Sequence, residues 1–478
     1  MPDSRARPQP SRLLVSILIL VIVAAVALAG LRMARSFPRD SHLGYTEGTW
    51  VALAIDTAHG VFYRPLEGPL GYGGIRYFAL FFTLHAVLIR LGVGAITAGY
   101  AIAVASGALL LFGIALYLTR AGAERLVGWA AAAVALASQP VQMAVLTIRG
   151  DGLPAALTVL GLAGCLGARV SMAAPVLFVL AFAAKPTSLY GPAAAVLALA
   201  LAGRRQEAVR LALSVALGAV ATLGVMWWAS DDRLFEIFAA SASGGASWTS
   251  LILAPRSLAR ILGRTPDVIV IVVTAATLLV ATRRQTIGLA VHASVLCLLA
   301  TLAIYASPAT VENHLIDLTV MAVLMIGTIA TTGPTRPWAL AALAVTGVVA
   351  LAAGSARFMT EDGRDRRQSR LATLATIADA RRPVFFEQPM LAAEAGESSY
   401  WLDPYMVVVR AQREPSVLQR FLDDIDRRAF GAIVLEQESP DLWFTELRPE
   451  SAHALREAIT RRYMLQAIVE GRAVYRPR

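Results

Sequence analysis

The chain has 478 residues, of which 57% are hydrophobic and only 16% charged, and its mean hydropathy is +0.60. So little charge cannot cover the surface of a large soluble protein, and the composition is that of a polytopic membrane protein. The net charge of +10 lies upstream of Arg357, since basic and acidic residues balance beyond it; no basic patch interleaved with aromatics points to a nucleic-acid partner, and the excess reads as cytoplasmic loops.

The N-terminus is basic (Arg5, Arg7, Arg12) and then apolar from Leu13 to Leu31. That run is long enough to span and too long for a typical cleaved leader, so it predicts an uncleaved anchor. Further apolar segments of roughly spanning length fall at 96–119, 126–147, 152–168, 171–184, 188–203, 207–230, 266–282, 286–306, 314–332 and 337–354, giving about eleven spans with the first at 12–34. Several are short, which local bilayer thinning tolerates. Cys165 and Cys297 sit inside apolar runs and read as small buried hydrophobes.

Segment 76–92 is apolar but carries Arg76, His85 and Arg90. If it lies in the interface, Arg120, Arg125, Arg169, Arg204, Arg205, Arg210, Arg283, Arg284 and Arg336 all share the side of the basic N-terminus; if it spans, they are all outside. The positive-inside rule selects the first arrangement. It puts the loop 37–92, the loop 231–265 and everything after 355 on the outer face. The second loop predicts a flexible Ser/Gly/Ala-rich middle followed by an amphipathic helix.

Beyond 355 the composition becomes that of a soluble unit. Helices are expected at 366–380, 415–428 and 452–462, buried strands at 384–388 and 432–436, and a final strand pair within 464–475. The expected division is therefore a membrane part, 1–355, and an extracytoplasmic α/β domain, 356–478.

The outer face collects most acids of the membrane part. Polar groups beside a bilayer are costly and usually have a task. Within 37–92, Asp40 and Glu47 can each act as a general base, or serve only as solvated loop acids or helix caps. Lys185 is the one lysine beside 42 arginines; at the outer end of a span it can meet a phosphate or simply snorkel. Arg149 and Asp151 sit at another outer junction, as an anion-binding pair or a local ion pair. Asn313 and His314 open a late span, where a cap, a sugar contact or a metal ligand are all open readings. Among conventional motifs, neither a Gly-rich phosphate loop nor HExxH is present.

These residues, in this order, resemble the GT-C type membrane glycosyltransferases, in particular the family 39, dolichyl-phosphate-mannose protein mannosyltransferase-like proteins. A first span is followed by Tyr45-Thr46-Glu47-Gly48, then by Ala54, Ala58, Gly60 and Tyr63, then by Tyr72-Gly73-Gly74-Ile75-Arg76-Tyr77 where the family has a Tyr-Pro-Pro stretch. Arg149-Gly150-Asp151, Lys185-Pro186-Thr187 and Asn313-His314-Leu315-Ile316-Asp317 follow. Thr46 stands where the family has an acid, which leaves Asp40 as the alternative second carboxylate. The resemblance covers about residues 12–355.

The resemblance implies a bacterial inner-membrane, multi-pass, inverting transferase with a cytoplasmic N-terminus. It would move a sugar from a polyprenyl-phosphate-linked donor to an extracytoplasmic glycan, lipid or protein hydroxyl. Glu47 or Asp40 would be the base; Lys185 and Arg149 would take the lipid phosphate; Asp151, Asn313, His314, Tyr63 and Arg76 would complete the substrate site. No cofactor is assigned, and a divalent metal is compatible. The competing classes are a transporter or lipid flippase, against which the missing internal repeat and the boundary position of the acids speak, and a non-catalytic envelope assembly protein.

Overall fold

The structure is a computed structural model that describes residues 11–243, 247–282, 288–307, 310–331, 335–360, 365–381, 383–437, 447 and 449–478. Arg5, Arg7, Arg283 and Arg284, used above to orient the chain, lie outside the described residues.

The chain opens with α1 (Arg12–Ser36), whose first turn is capped by the Ser11 side chain accepting from the Leu14 amide. The outer loop then folds into α2 (Tyr45–Ala58), the short strands β1 (Glu67–Gly68) and β2 (Gly71–Tyr72), and α3 (Ala79–Arg90). The bundle continues with α4 (Ala95–Arg120), α5 (Arg125–Ala137), α6 (Gln139–Leu146), α7 (Gly152–Cys165), α8 (Ala173–Ala184), α9 (Tyr190–Leu201) and α10 (Arg205–Ala229). It closes with α11 (Leu234–Ser243), α12 (Trp248–Leu262), α13 (Pro266–Ala281), α14 (Gly288–Tyr305), α15 (Ile316–Ile329) and α16 (Arg336–Thr360).

Among the described residues six helices are long and apolar enough to cross a membrane, and two bent pairs raise that to eight. The remaining expected segments are occupied by the shorter apolar helices α7, α8 and α9, of 14, 12 and 12 residues, which fall below the length of a straight span. Two differences from the expected elements have local causes. Segment 126–147 is not one straight helix: α5 and α6 meet at 76°. Ser138 is extended there, and Pro140 starts the second helix, where its missing N–H costs nothing. The described residues of the loop 231–265 are mostly helical, with Gly244, Gly245 and Ala246 of the expected flexible middle outside the described residues, and α12 turns through 114° into α13. α12 buries Ala254, Leu258 and Ile261 at helical spacing against α14, which is the amphipathic pattern read from the sequence.

α3 has 12 residues, about 18 Å at the helical rise, the same length as α8 and α9, so its tie to the outer loop and not its length sets it apart. Arg90 at its end donates to the Ala58 and Thr57 carbonyls, which ties it back onto α2.

The ends of the bundle differ in chemistry. At one end Arg120 donates to the Ala163 carbonyl, Arg204 donates to Gly167 and pairs with Glu207 at 2.8 Å, and Arg336 pairs with Glu124. At the other end lie the outer loop, the α6–α7 and α8–α9 junctions and the start of α15.

The C-terminal part holds a four-stranded sheet of β3 (Val384–Phe386), β4 (Ala432–Glu436), β5 (Tyr463–Val469) and β6 (Arg472–Pro477), in the order β3-β4-β6-β5. β3 and β4 are parallel and the other pairs antiparallel. Its helices are α17 (Arg366–Thr376), α18 (Pro389–Glu394), α19 (Pro404–Ala411), α20 (Gln419–Asp426) and α21 (Pro449–Arg462). α18 and α19 were not expected; their residues are short, buried runs without a helical stripe.

This part is joined to the outer loop rather than tethered beside it. The Tyr72 amide donates to the Tyr400 carbonyl at 2.8 Å, and the Leu402 amide donates to the Tyr72 carbonyl at 3.0 Å. The Arg64 guanidinium, buried and paired with Asp56, also donates to the Ser399 carbonyl at 2.5 Å. The apolar cores cross over as well: Met390 and Leu402 lie in the core beneath the outer loop, and Tyr72 lies in that of the C-terminal part.

Candidate functional site

A cavity of about 750 Å³ opens between the outer loop, the α6–α7 and α8–α9 junctions, the start of α15 and α17. Seven of the nine residues singled out in the sequence line it: Glu47, Arg76, Arg149, Asp151, Lys185, Asn313 and His314. They come from five separate stretches of chain and meet because six of them sit at helix ends on the same face of the bundle, while Arg76 reaches it from the loop before α3.

Glu47 is buried in the first turn of α2. Its Oε2 accepts the Gly44 amide at 2.8 Å, closing the start of the helix, and its Oε1 receives Nε of Arg149 at 2.5 Å. It is therefore both a cap and one half of an ion pair. Gly48, next along, leaves no room for a side chain, since a Cβ there would lie 2.4 Å from the Met390 amide nitrogen. The helix can approach the C-terminal part this closely only with glycine at that position.

Lys185 is held by two carboxylates, Asp151 Oδ1 at 3.0 Å and Asp317 Oδ2 at 3.7 Å. Asn313 Nδ2 donates to the other Asp151 oxygen at 2.7 Å, and the Tyr190 hydroxyl donates to Asp317 at 3.0 Å. Burial opposes ionisation of Asp151, but the Lys185 ammonium, His314 and the Asn313 amide together outweigh it and hold the carboxyl down at about 2. His314 lines the cavity with a buried Nδ1 that has no hydrogen-bond partner among the described residues, leaving that nitrogen available to a ligand.

Arg76 reaches the cavity with Nε 3.2 Å from Asp403 and its guanidinium 4.2 Å over the Tyr405 ring. Arg366, from α17, lines the opposite wall and donates to the Leu43 carbonyl at 3.1 Å. His42 also lines the cavity; burial, reinforced by the nearby Arg32 charge, pulls its imidazole down to about 4, so it is neutral at ordinary pH.

Asp40 and Tyr63 do not line the cavity. The Asp40 carboxylate is buried against Arg370 at 2.8 Å, which also binds Glu394, and burial raises its pKa in spite of that partner. It therefore does not stand in for the acid that Thr46 replaces; the second acid facing the cavity is Asp151. Tyr63 is buried among Phe62, Phe82 and Phe238, and its hydroxyl donates to the Tyr77 carbonyl at 2.9 Å. Of the residues that the motifs did not mark, Asp403, Tyr405 and Arg366 come from beyond residue 355, where no local pattern announced them. His42 lay unmarked inside the outer loop, just before the Tyr45-Thr46-Glu47-Gly48 motif.

The cavity wall thus carries four permanent cations, Arg76, Arg149, Lys185 and Arg366, against the carboxylates of Glu47 and Asp151. Such a wall suits a ligand with an anionic group and hydroxyls. Among the described residues no group of three or more His, Cys, Asp or Glu side chains converges as a metal site requires.

No protein-family profile and no curated protein sequence matches the chain. Among solved structures, the crystal structure of ArnT from Cupriavidus metallidurans bound to undecaprenyl phosphate superposes with a TM-score of 0.58 at 14% identity, covering 96% of this chain and 97% of that one. The apo structure of the same protein gives a TM-score of 0.53 over the same shares of both chains. The shared architecture is the GT-C-like polytopic membrane fold with a small C-terminal sheet; the likeness does not reach the narrower family 39 group.

Proposed function

We propose that this chain is an inverting GT-C glycosyltransferase that moves a sugar from a polyprenyl-phosphate-linked donor to a hydroxyl acceptor on the outer face of the membrane. The observation that carries it is the cavity itself, in which four cations and two carboxylates converge at the ends of apolar helices. A donor with its tail in lipid can present its phosphate and sugar there. That the fold is shared with a protein solved with undecaprenyl phosphate bound supports the same donor class.

In this reading Glu47 is the base. It removes the proton of the acceptor hydroxyl as that oxygen attacks the anomeric carbon; the bond from that carbon to the donor phosphate oxygen breaks, and the lipid phosphate leaves with the electron pair. Arg149 gives the site a coupling: an arriving phosphate competes with Glu47 for the guanidinium, and as Arg149 turns to the phosphate the carboxylate oxygen is freed to accept from the acceptor hydroxyl. Lys185, Arg76 and Arg366 add positive charge where the leaving phosphate develops its own. Asp151, tied to Lys185 and held at about 2, is the weaker base and orients the ammonium instead.

The test is transfer of a radiolabelled sugar from a polyprenyl-phosphate donor by purified protein in nanodiscs. Glu47→Gln is expected to lower the rate by roughly 10²–10⁴-fold while insertion and monodispersity stay unchanged. Wild-type transfer by that variant would overturn the assignment.

A further inference from the structure

Arg76 belongs to the outer loop, yet it is held from behind by residues more than three hundred positions away. Asp403 is fully buried and stands at the N-terminus of α19, where an aspartate ordinarily caps the helix with its side chain. The Tyr405 and Met406 backbone also favours its ionised form, but its charged partner is Arg76, whose Nε donates to Oδ2 at 3.2 Å. Two positions on, the Tyr405 ring lies 4.2 Å below the guanidinium. The Tyr45 oxygen, at 3.4 Å, accepts from Nη2. The segment carrying Asp403 cannot drift, because the backbone hydrogen bonds between Tyr72 and residues 400 and 402 fix it to the strand just before Arg76. An arginine on an extended loop loses side-chain entropy when it binds. Here three groups have already fixed it at the cavity wall.

We propose that Asp403 is a positioning residue, which with Tyr405 presents the Arg76 guanidinium to the phosphate of a polyprenyl-phosphate ligand. The C-terminal α/β part is then a component of the donor site, not an appended binding module. The identity of the anion rests on the transferase reading; the ion pair and its fixation do not.

The experiment is binding of undecaprenyl phosphate to the full-length protein in detergent, followed by native mass spectrometry, for wild type, Asp403→Asn, Arg76→Gln and the double variant. Each single change is expected to weaken binding about tenfold, the order of one lost charge-assisted contact. The double variant is expected to bind no worse than Arg76→Gln alone, because both changes remove the same contact. A purely structural role for Asp403 predicts multiplied losses in the double variant, and that result would overturn the proposal, as would wild-type affinity in Asp403→Asn or no binding by the wild type. Tyr405→Leu, which leaves the ion pair in place, is expected to weaken binding several-fold if Asp403→Asn does not fold; unchanged binding there counts against the proposal equally. A wild type that binds the lipid phosphate but transfers no sugar would remove the transferase reading and leave the role of Asp403 standing.

Discussion

At the scale of single residues, the site is a set of charges arranged in pairs. Arg149 faces Glu47, Lys185 faces Asp151 and Asp317, and Arg76 faces Asp403. Such pairs are weak sources of net stability, but breaking one is costly because it strands the other charge. Lys185→Met leaves two largely buried carboxylates without their cation and is expected to destabilise the fold by about 3 kcal/mol, visible as a lower melting temperature in detergent. Asp151 supplies a pH test with a definite sign. Its folded pKa is depressed, so its contribution is complete above the unfolded value near 4 and is lost as pH falls toward about 2. Melting temperature measured from pH 5 downward should fall through that window in the wild type, and the Asp151 part of the slope should shrink in Lys185→Met. An unchanged slope would mean that Lys185 does not set the Asp151 pKa.

At the scale of elements, the decisive contacts are those that join the outer loop to the C-terminal part. Gly71 has φ +91°, and a Cβ there would lie 2.1 Å from the Tyr400 carbonyl oxygen. Gly73, in the stretch where the family pattern has prolines, would drive a Cβ to 2.3 Å from the Arg64 side chain. Gly71 thus follows from the approach of Tyr400, and Gly73-Gly74 from the crowding of Arg64, Pro65 and Tyr72 within the outer loop itself. Gly71→Val is expected to cost about 1–3 kcal/mol from its backbone conformation alone and to part β2 from residues 400–402. Hydrogen exchange should show that loss of protection at Tyr72 and Leu402 while α4 and α7 stay protected; protection at all four would refute it.

At the scale of the whole molecule, the two chemically distinct ends of the bundle carry the topology. The end gathering Arg120, Arg204 and Arg336 is expected inside, and the end bearing the cavity and the C-terminal sheet outside. With Cys165 and Cys297 replaced by alanine, single cysteines at the exposed positions His59 and Glu470 should react with a membrane-impermeant maleimide on intact cells, and one at Gln206 should react only after lysis. The reverse pattern would place the cavity on the cytoplasmic side and exclude an extracytoplasmic acceptor.

Much of this protein was legible in its sequence, for a local reason. Hydropathy and helical periodicity are properties of a dozen or two consecutive residues, so the positions of the apolar helices, the amphipathic stripe of α12 and most strands of the sheet follow from the order of residues alone. Charge beside a membrane is expensive, so Glu47, Arg149, Asp151, Lys185, Asn313 and His314 stood out at helix ends, and all six line one cavity. What the sequence did not contain was the choice of partners. Asp40 and Glu47 looked equivalent in the loop; packing gave the first to Arg370, out of the cavity, and the second to Arg149, inside it. Asp403, Tyr405 and Arg366 carried no motif, because their place at the site depends on contacts made across more than three hundred residues. The break at Ser138 escaped notice because apolar residues continue through it. Periodicity reports which face of an element is buried; only the assembled tertiary structure decides which charge that face meets.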